Sequence, residues 1–303
     1  MGLEAMVDIL LTGSIVFTGG KLLRNGYVYI RDGRIESVGE TPVPEEYTYA
    51  TLILGGPGRI IVPALTALAS VAAYPLRFSS PSMDSRVKFY ASNDIKTLIL
   101  ASLPAVYELH MSGVATIIVE GLTPELPIEL SRLIGGFYGL AVPVCSGVEP
   151  RYVPGLVSAV TIAGSGCEGE ADIVEVNGVG FKGSSRLLSV FGGLSYAISR
   201  FTSENPWAES MELRRALHLP PPAIKPGRVA EIAVYDVSRP PAMLLDMIED
   251  IDILKVYTSG ARLETLIAGE DVLVDTGEHL YIVEKHFNEF RRFAEKLLSR
   301  RTL

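Results

Sequence analysis

Arg59-Ile-Ile-Val-Pro-Ala-Leu-Thr-Ala-Leu-Ala-Ser-Val71 is the stretch that decides the fold of this 303-residue chain. It opens as a short β-branched strand, turns at Pro63 and continues into a second apolar run. The wider segment Ile60–Leu76 carries no charge over 17 residues. That is the short limit for a membrane span, and Pro63 and Pro75 interrupt it. A buried strand followed by a loop is the better reading. Upstream, residues 8–17 read as a strand interrupted by Gly13. Asn25-Gly26 precedes the strand residues 27–31, and Asp32-Gly33 precedes 34–38. Such pairs are hairpin signals, so 8–38 reads as an antiparallel meander. Residues 41–50 read as a loop. Leu52–Leu54 and Arg59–Val62 read as two short strands around the turn Gly55-Gly56-Pro57-Gly58.

The far end of the chain mirrors the near end. Ala230–Asp236, Ile253–Thr258, Arg262–Ala268 and Val272–Asp275 have strand character, separated by turn residues. Neither set makes a full sheet alone, so residues 1–62 and 222–280 are expected to form one composite β-sandwich. The middle, 63–221, behaves differently. Ala91–Met111 has helical apolar spacing, with Pro104 expected to kink or split it. Val114–Val119 is a continuous apolar run, as in a buried parallel strand. Residues 125–135 read as a helix and Gly139–Val144 as a strand, a βαβ pattern. Val157–Ala163 and Ile173–Val179 read as strands, and Leu187–Phe201 and Glu209–Leu217 as helices. Residues 281–303 are expected to hold a C-terminal amphipathic helix with a basic end. The class is α/β.

Composition narrows the functions. Hydrophobic residues make up 48% and charged residues 20%, enough apolar content for a sizeable core. The net charge of −8 argues against nucleic acid or an anionic membrane as partner. Cys145 and Cys167 are the only cysteines. They are expected as small core side chains, forming neither a disulfide framework nor a zinc site. The first residues lack a basic region ahead of an apolar one, so no leader is expected and the location is taken as cytoplasmic. Glutamine is absent and asparagine occurs five times, a depletion that suggests a thermophilic source.

The end motifs, in order, resemble the amidohydrolase superfamily of metal-dependent hydrolases and deaminases. The strand into the barrel carries Gly58-Arg-Ile-Ile-Val-Pro63, preceded by Asp32-Gly33-Arg34-Ile35 and Val38-Gly39. At the other end, 223–236 read Ala-Ile-Lys-Pro-Gly-Arg-Val-Ala-Glu-Ile-Ala-Val-Tyr-Asp, and 203–208 read Ser-Glu-Asn-Pro-Trp-Ala. The resemblance implies a TIM-barrel-like domain between the ends and a metal site at the end of its first strand. There the family places a Pro-Gly turn, an acidic residue and His-x-His. The matching positions here are Pro63, Ala64, Ala67, Ala69 and Val71, so the frame is kept and the metal ligands are not. The 159 residues of 63–221 also fall short of the roughly 200–250 of a full (β/α)₈ barrel, so a shortened barrel is expected.

Metal catalysis of that kind needs imidazoles and carboxylates to lower the pKa of bound water. The four histidines, His110, His218, His279 and His286, lie away from predicted barrel strand ends. They are expected at the surface or at helix ends, unpaired with one another. Ser70 lies where a metal-binding histidine would be, and without a base it is no nucleophile. Glu120 ends a barrel strand, where a catalytic base or a mere loop contact would sit. Tyr74, Arg77 and Asp84 follow the first barrel strand. Arg77 could grip a carboxylate in a vestigial pocket with Ser70, Tyr74 and Glu120. Gly164-Ser-Gly-Cys-Glu-Gly169 is read as a turn. The leading expectation is an amidohydrolase-like protein without metal catalysis, cofactor or metal, in a binding or structural role, with a small anion as ligand. Two alternatives stay open: an active hydrolase on carbon–nitrogen bonds, and a scaffold that resembles the family by convergence. Whether the chain forms a homo-oligomer is also open.

Overall fold

The computed structural model describes residues 7–79, 82–176, 180–183, 186–188, 206–239 and 261–299. In chain order the strands and helices are β1 (Ile9–Phe17), β2 (Leu22–Arg31), β3 (Arg34–Glu40), β4 (Leu52–Pro63), β5 (Leu65–Ala69), α1 (Met83–Ala91), α2 (Ile95–Met111), β6 (Val114–Glu120), α3 (Glu125–Ile134), β7 (Phe137–Pro143), β8 (Leu156–Ala163), β9 (Ile173–Val176), β10 (Gly180–Gly183), β11 (Arg186–Leu188), α4 (Pro206–Ala216), β12 (Glu231–Asp236), β13 (Arg262–Ala268), β14 (Asp271–Asp275), β15 (Glu278–His279) and α5 (Glu284–Ser299). The chain divides into two compact units. One comprises residues 1–65, 110–115 and 221–280, and the other 66–109, 116–220 and 281–303.

The first unit is organised by an eight-stranded sheet in the order β15-β14-β13-β12-β4-β1-β2-β3. The meander β1-β2-β3 is antiparallel, and Asp32-Gly33 makes the β2–β3 turn as expected, with Asp32 in the left-handed region at φ 49°. Asn25-Gly26 makes no turn: it lies inside β2, with Gly26 opposite Gly13, and the chain reverses between β1 and β2 at Thr18–Lys21. Strand β12 pairs antiparallel with β4, Val234 facing Ile61, so both chain ends contribute to one sheet. One buried cluster gathers Ile9, Leu11, Val16, Val28, Ile30, Ile61, Ile232, Val234 and Ile267. A separate cluster holds Leu10, Tyr27 and Tyr29, with Tyr47 stacked on Tyr29 at 4.1 Å between ring centres. The alternation of these residues along β1 and β2 follows the two-residue period of a strand. The expected strand Ile253–Thr258 lies outside the described residues.

β4 departs from expectation. Gly55–Gly58 does not turn the chain, and one strand runs through from Leu52 to Pro63. Thr12 pairs with Gly55 and Gly13 with Gly56, but Ile15 next pairs with Ile60. The surplus residues of β4 form a bulge, made feasible by positive φ at Gly55, Gly56 and Gly58. Gly55 is the tightest point: at φ +87° a Cβ there would sit 2.2 Å from the Thr12 carbonyl oxygen. Gly55→Ala should cost about 1–3 kcal/mol in denaturant unfolding. Gly56→Ala has nothing within 4 Å of its added Cβ and should cost less. Equal losses for the two variants would defeat the steric argument.

The second unit carries a seven-stranded sheet, β11-β10-β9-β8-β7-β6-β5. β6, β7, β8 and β9 pair in parallel, while β10 and β11 return antiparallel. This is a curled parallel half-barrel in a mixed α/β fold. Every residue of β6 is buried, as its unbroken apolar run implies.

Three readings are corrected in this unit. A separate helix, α1, precedes the expected one, and Ser92–Asp94 divide it from α2. Pro104 does not split α2, which continues past it to Met111. Leu187 and Leu188, at the start of the expected helix Leu187–Phe201, belong to β11, and the remainder lies outside the described residues. The amphipathic α5 lays Phe287 against Tyr107 and Phe290 against Tyr74, both edge to face.

Candidate functional site at the strand end of the half-barrel

Barrel chemistry gathers at the C-terminal ends of the parallel strands. At the end of β5 the first residue past the strand is Ser70, and at the end of β6 stands Glu120, 1% exposed. A buried carboxylate needs compensation, and Glu120 receives it from four donors. Arg86 grips it with two bonds, Nε to Oε1 at 2.7 Å and Nη2 to Oε2 at 2.8 Å. Tyr90 Oη donates to Oε1 at 2.8 Å and Ser70 Oγ to Oε2 at 3.0 Å. Each carboxylate oxygen thus accepts two hydrogen bonds, the full capacity of the group. Burial, reinforced by the Glu120 charge, raises the Tyr90 phenol well above its ordinary value. Tyr90 therefore stays a neutral donor.

α1 delivers two of these donors. Its N-cap Ser82 accepts from the Ser85 amide, and Met83, Arg86, Phe89 and Tyr90 form its buried face. Arg86 and Tyr90 are four apart, so both project from that face, where Glu120 meets them. Asp84, on the same helix, pairs with Lys88 at the exposed surface. A second buried polar cluster anchors α4. Arg214 donates to Thr66 Oγ1 at 2.9 Å and to the Pro220 carbonyl at 2.7 Å, and Ser210 Oγ accepts from the Thr66 amide.

The structure brings together Ser70 and Glu120. Tyr74 donates to Glu108 of α2 at 2.8 Å. The side chain of Arg77 lies outside the described part of its 3₁₀ turn. Arg86 and Tyr90 escaped the sequence reading, although an arginine four residues before a tyrosine, bracketed by Met83 and Phe89, could have marked a buried polar face. Ala67, Ala69 and Val71, at the ligand positions of the resemblance, are fully buried packing residues. Among the described residues no three His, Cys, Asp or Glu side chains cluster to hold a metal.

The cysteines and two of the histidines also differ from expectation. Cys145 and Cys167 are joined in a disulfide. They follow β7 and β8, and the parallel pairing of those strands places the two loops side by side. Gly164–Cys167 is a tight turn closed by mutual backbone hydrogen bonds. In the first unit His110 and His279 are both buried, stacked at 5.2 Å and hydrogen-bonded, Nδ1 of His110 to Nε2 of His279 at 2.9 Å. Burial, together with the neighbouring His279, pushes His110 well below the usual imidazole value, so it is neutral in the folded state. His218 is exposed, and His286 Nδ1 accepts the Val283 amide ahead of α5.

No protein-family model matches the chain, and no curated protein matches it in sequence. Solved structures do match its fold. A triazine hydrolase variant aligns with a TM-score of 0.67 at 12% identity, over 95% of this chain and 99% of that one. Atrazine chlorohydrolase from Arthrobacter aurescens TC1, complexed with zinc, gives 0.66 at 12% identity, over 94% and 100%. An adenosine deaminase from Xanthomonas campestris with bound zinc gives 0.63 at 9% identity, over 98% and 99%. The fold is like that of these solved hydrolase and deaminase structures.

Proposed function

We propose that this chain is an amidohydrolase-like protein that no longer performs metal-dependent hydrolysis and serves a binding or structural role. The saturation of Glu120 carries this reading. A divalent metal needs free lone pairs from imidazole, carboxylate or thiolate. Ala69 and Val71 offer none, and the Glu120 oxygens are already occupied by Arg86, Tyr90 and Ser70. The residues at this strand end therefore do not fit the zinc named in two of the structural neighbours. In the same reading, residues 1–62 and 222–280 form a composite β-sandwich, 63–221 a shortened barrel-like domain, and 281–303 a C-terminal helix. Ser70, Tyr74, Arg77 and Glu120 mark the remnant of a mouth, with Arg77 as the candidate contact for a small anion.

Metal analysis of the purified protein is the test. It should hold well under one equivalent of zinc, iron or manganese after dialysis, and a chelator should leave its melting temperature unchanged. The alternative, an active hydrolase on carbon–nitrogen bonds, draws on the activities named for the neighbours. Stoichiometric metal together with chelator-sensitive melting would favour it and overturn the proposal.

A further inference from the structure

We infer that the Cys145–Cys167 disulfide is a reversible redox site that latches α1 over Glu120, and that its reaction partner is a dithiol. The connection runs through one turn. Cys167 closes the turn 164–167, and the Ser165 carbonyl within it accepts the Met83 amide at 3.0 Å. Gly166, at φ +75°, lies against the same helix start. A Cβ built on it would stand 3.5 Å from Asp84 Cβ and 3.6 Å from Ser82 Cβ. The turn therefore seats the first residues of α1, and α1 carries Arg86 and Tyr90 onto Glu120. The disulfide ties this turn to Cys145, which directly follows β7 and the Val144 step.

The two sulfurs are unequal in a way that suits exchange. Cys145 belongs to an exposed residue and Cys167 to one 1% exposed. Attack is therefore directed at Cys145. The Cys145 amide also donates to Cys167 Sγ at 3.0 Å, a bond that favours the thiolate leaving from that position. A dithiol's thiolate attacks Cys145 Sγ, forming a mixed disulfide as the Sγ–Sγ bond breaks. Cys167 leaves as thiolate and takes up a proton. The dithiol's second thiolate then attacks its own sulfur in the mixed disulfide and releases Cys145. Two electrons and two protons pass to the protein, and the dithiol becomes a cyclic or intramolecular disulfide. Reduction frees the turn 164–167 from the β7 loop and loosens the seat of α1, which uncovers Glu120.

The inference rests on reading the Glu120 end as the residual site, but its test does not depend on what that site binds. Amide exchange of the full chain is measured before and after treatment with dithiothreitol, with thiol titration confirming two free thiols after reduction. Exchange in Arg86–Ala91 should accelerate tenfold or more while Ile117–Val119 of β6 keep their protection, and reoxidation should restore the first state. The double variant Cys145→Ser/Cys167→Ser should show the fast α1 exchange with or without dithiothreitol. Unchanged α1 exchange after verified reduction overturns the inference. So does equal loss of protection in β6, which would make the bond a general structural staple, and so does finding both thiols free in air-exposed protein. Metal content, which tests the proposed function, leaves these outcomes untouched.

Discussion

Arg86→Ala should destabilise the half-barrel by about 3–5 kcal/mol, because it strands a buried carboxylate. Arg86 and Glu120 are 3% and 1% exposed, and two charge-assisted bonds join them. Alanine removes the cation that grips Glu120 and opens a cavity beneath α1. The remaining donors, Ser70 and Tyr90, are neutral and do not offset the desolvation of the charge. Arg86→Met combined with Glu120→Leu should cost less than Arg86→Ala alone, since no charge is left buried. Denaturant unfolding of the three proteins decides the matter. The argument fails if Arg86→Ala behaves like a surface change, within about 0.5 kcal/mol of the parent.

Acid should weaken the first unit in a window set by His110. Its folded-state pKa is lowered by burial and by His279, so the folded protein binds fewer protons there than the unfolded chain does. Stability is therefore complete above the unfolded value of about 6.5 and is lost as pH falls below it. The slope for one such histidine reaches about 1.4 kcal/mol per pH unit until the folded pKa is met. Most carboxylates titrate lower, so unfolding measured between pH 7.5 and 5.5 isolates the effect. His110→Phe keeps a ring against His279 and should reduce the slope by about one proton. A parent protein equally stable across that window would refute the assignment.

What the sequence made legible follows from the range of the forces involved. The β2-β3 hairpin was readable because Asp32-Gly33 acts within a few residues, whereas Asn25-Gly26 gave the same signal from inside β2. The barrel strand β6 was readable from its unbroken apolar run. α1 was not, because nine residues with four buried side chains look like loop beside the prolines and serines before it. The bulge in β4 was mistaken for a turn, since four turn-forming residues carry the same local signal in either setting. The distinction lies in β1, whose Thr12 and Gly13 pair with Gly55 and Gly56 and whose Ile15 resumes the ladder at Ile60.

The pairs that shape the candidate site were harder still. Ser70 and Glu120 were legible as strand-end residues, but their closure by Arg86 is a property of how α1 packs. His110 and His279 stand 169 residues apart, and nothing local to either announces the other. Cys145 and Cys167 become neighbours only because β7 and β8 are adjacent in the sheet.

The junction of β4 with β12 has a consequence for the growing polypeptide. Pro63 must wait for Ile232, about 170 residues later, before that side of its backbone finds a partner. At roughly 5–20 residues per second on a ribosome, the wait is about 10–30 s. Throughout it, Arg59–Pro63 offers an unsatisfied edge to any other nascent strand nearby. The charge of Arg59 and the kinked glycines before it stand as guards on that edge, and a fragment ending before residue 231 should aggregate where the full chain does not.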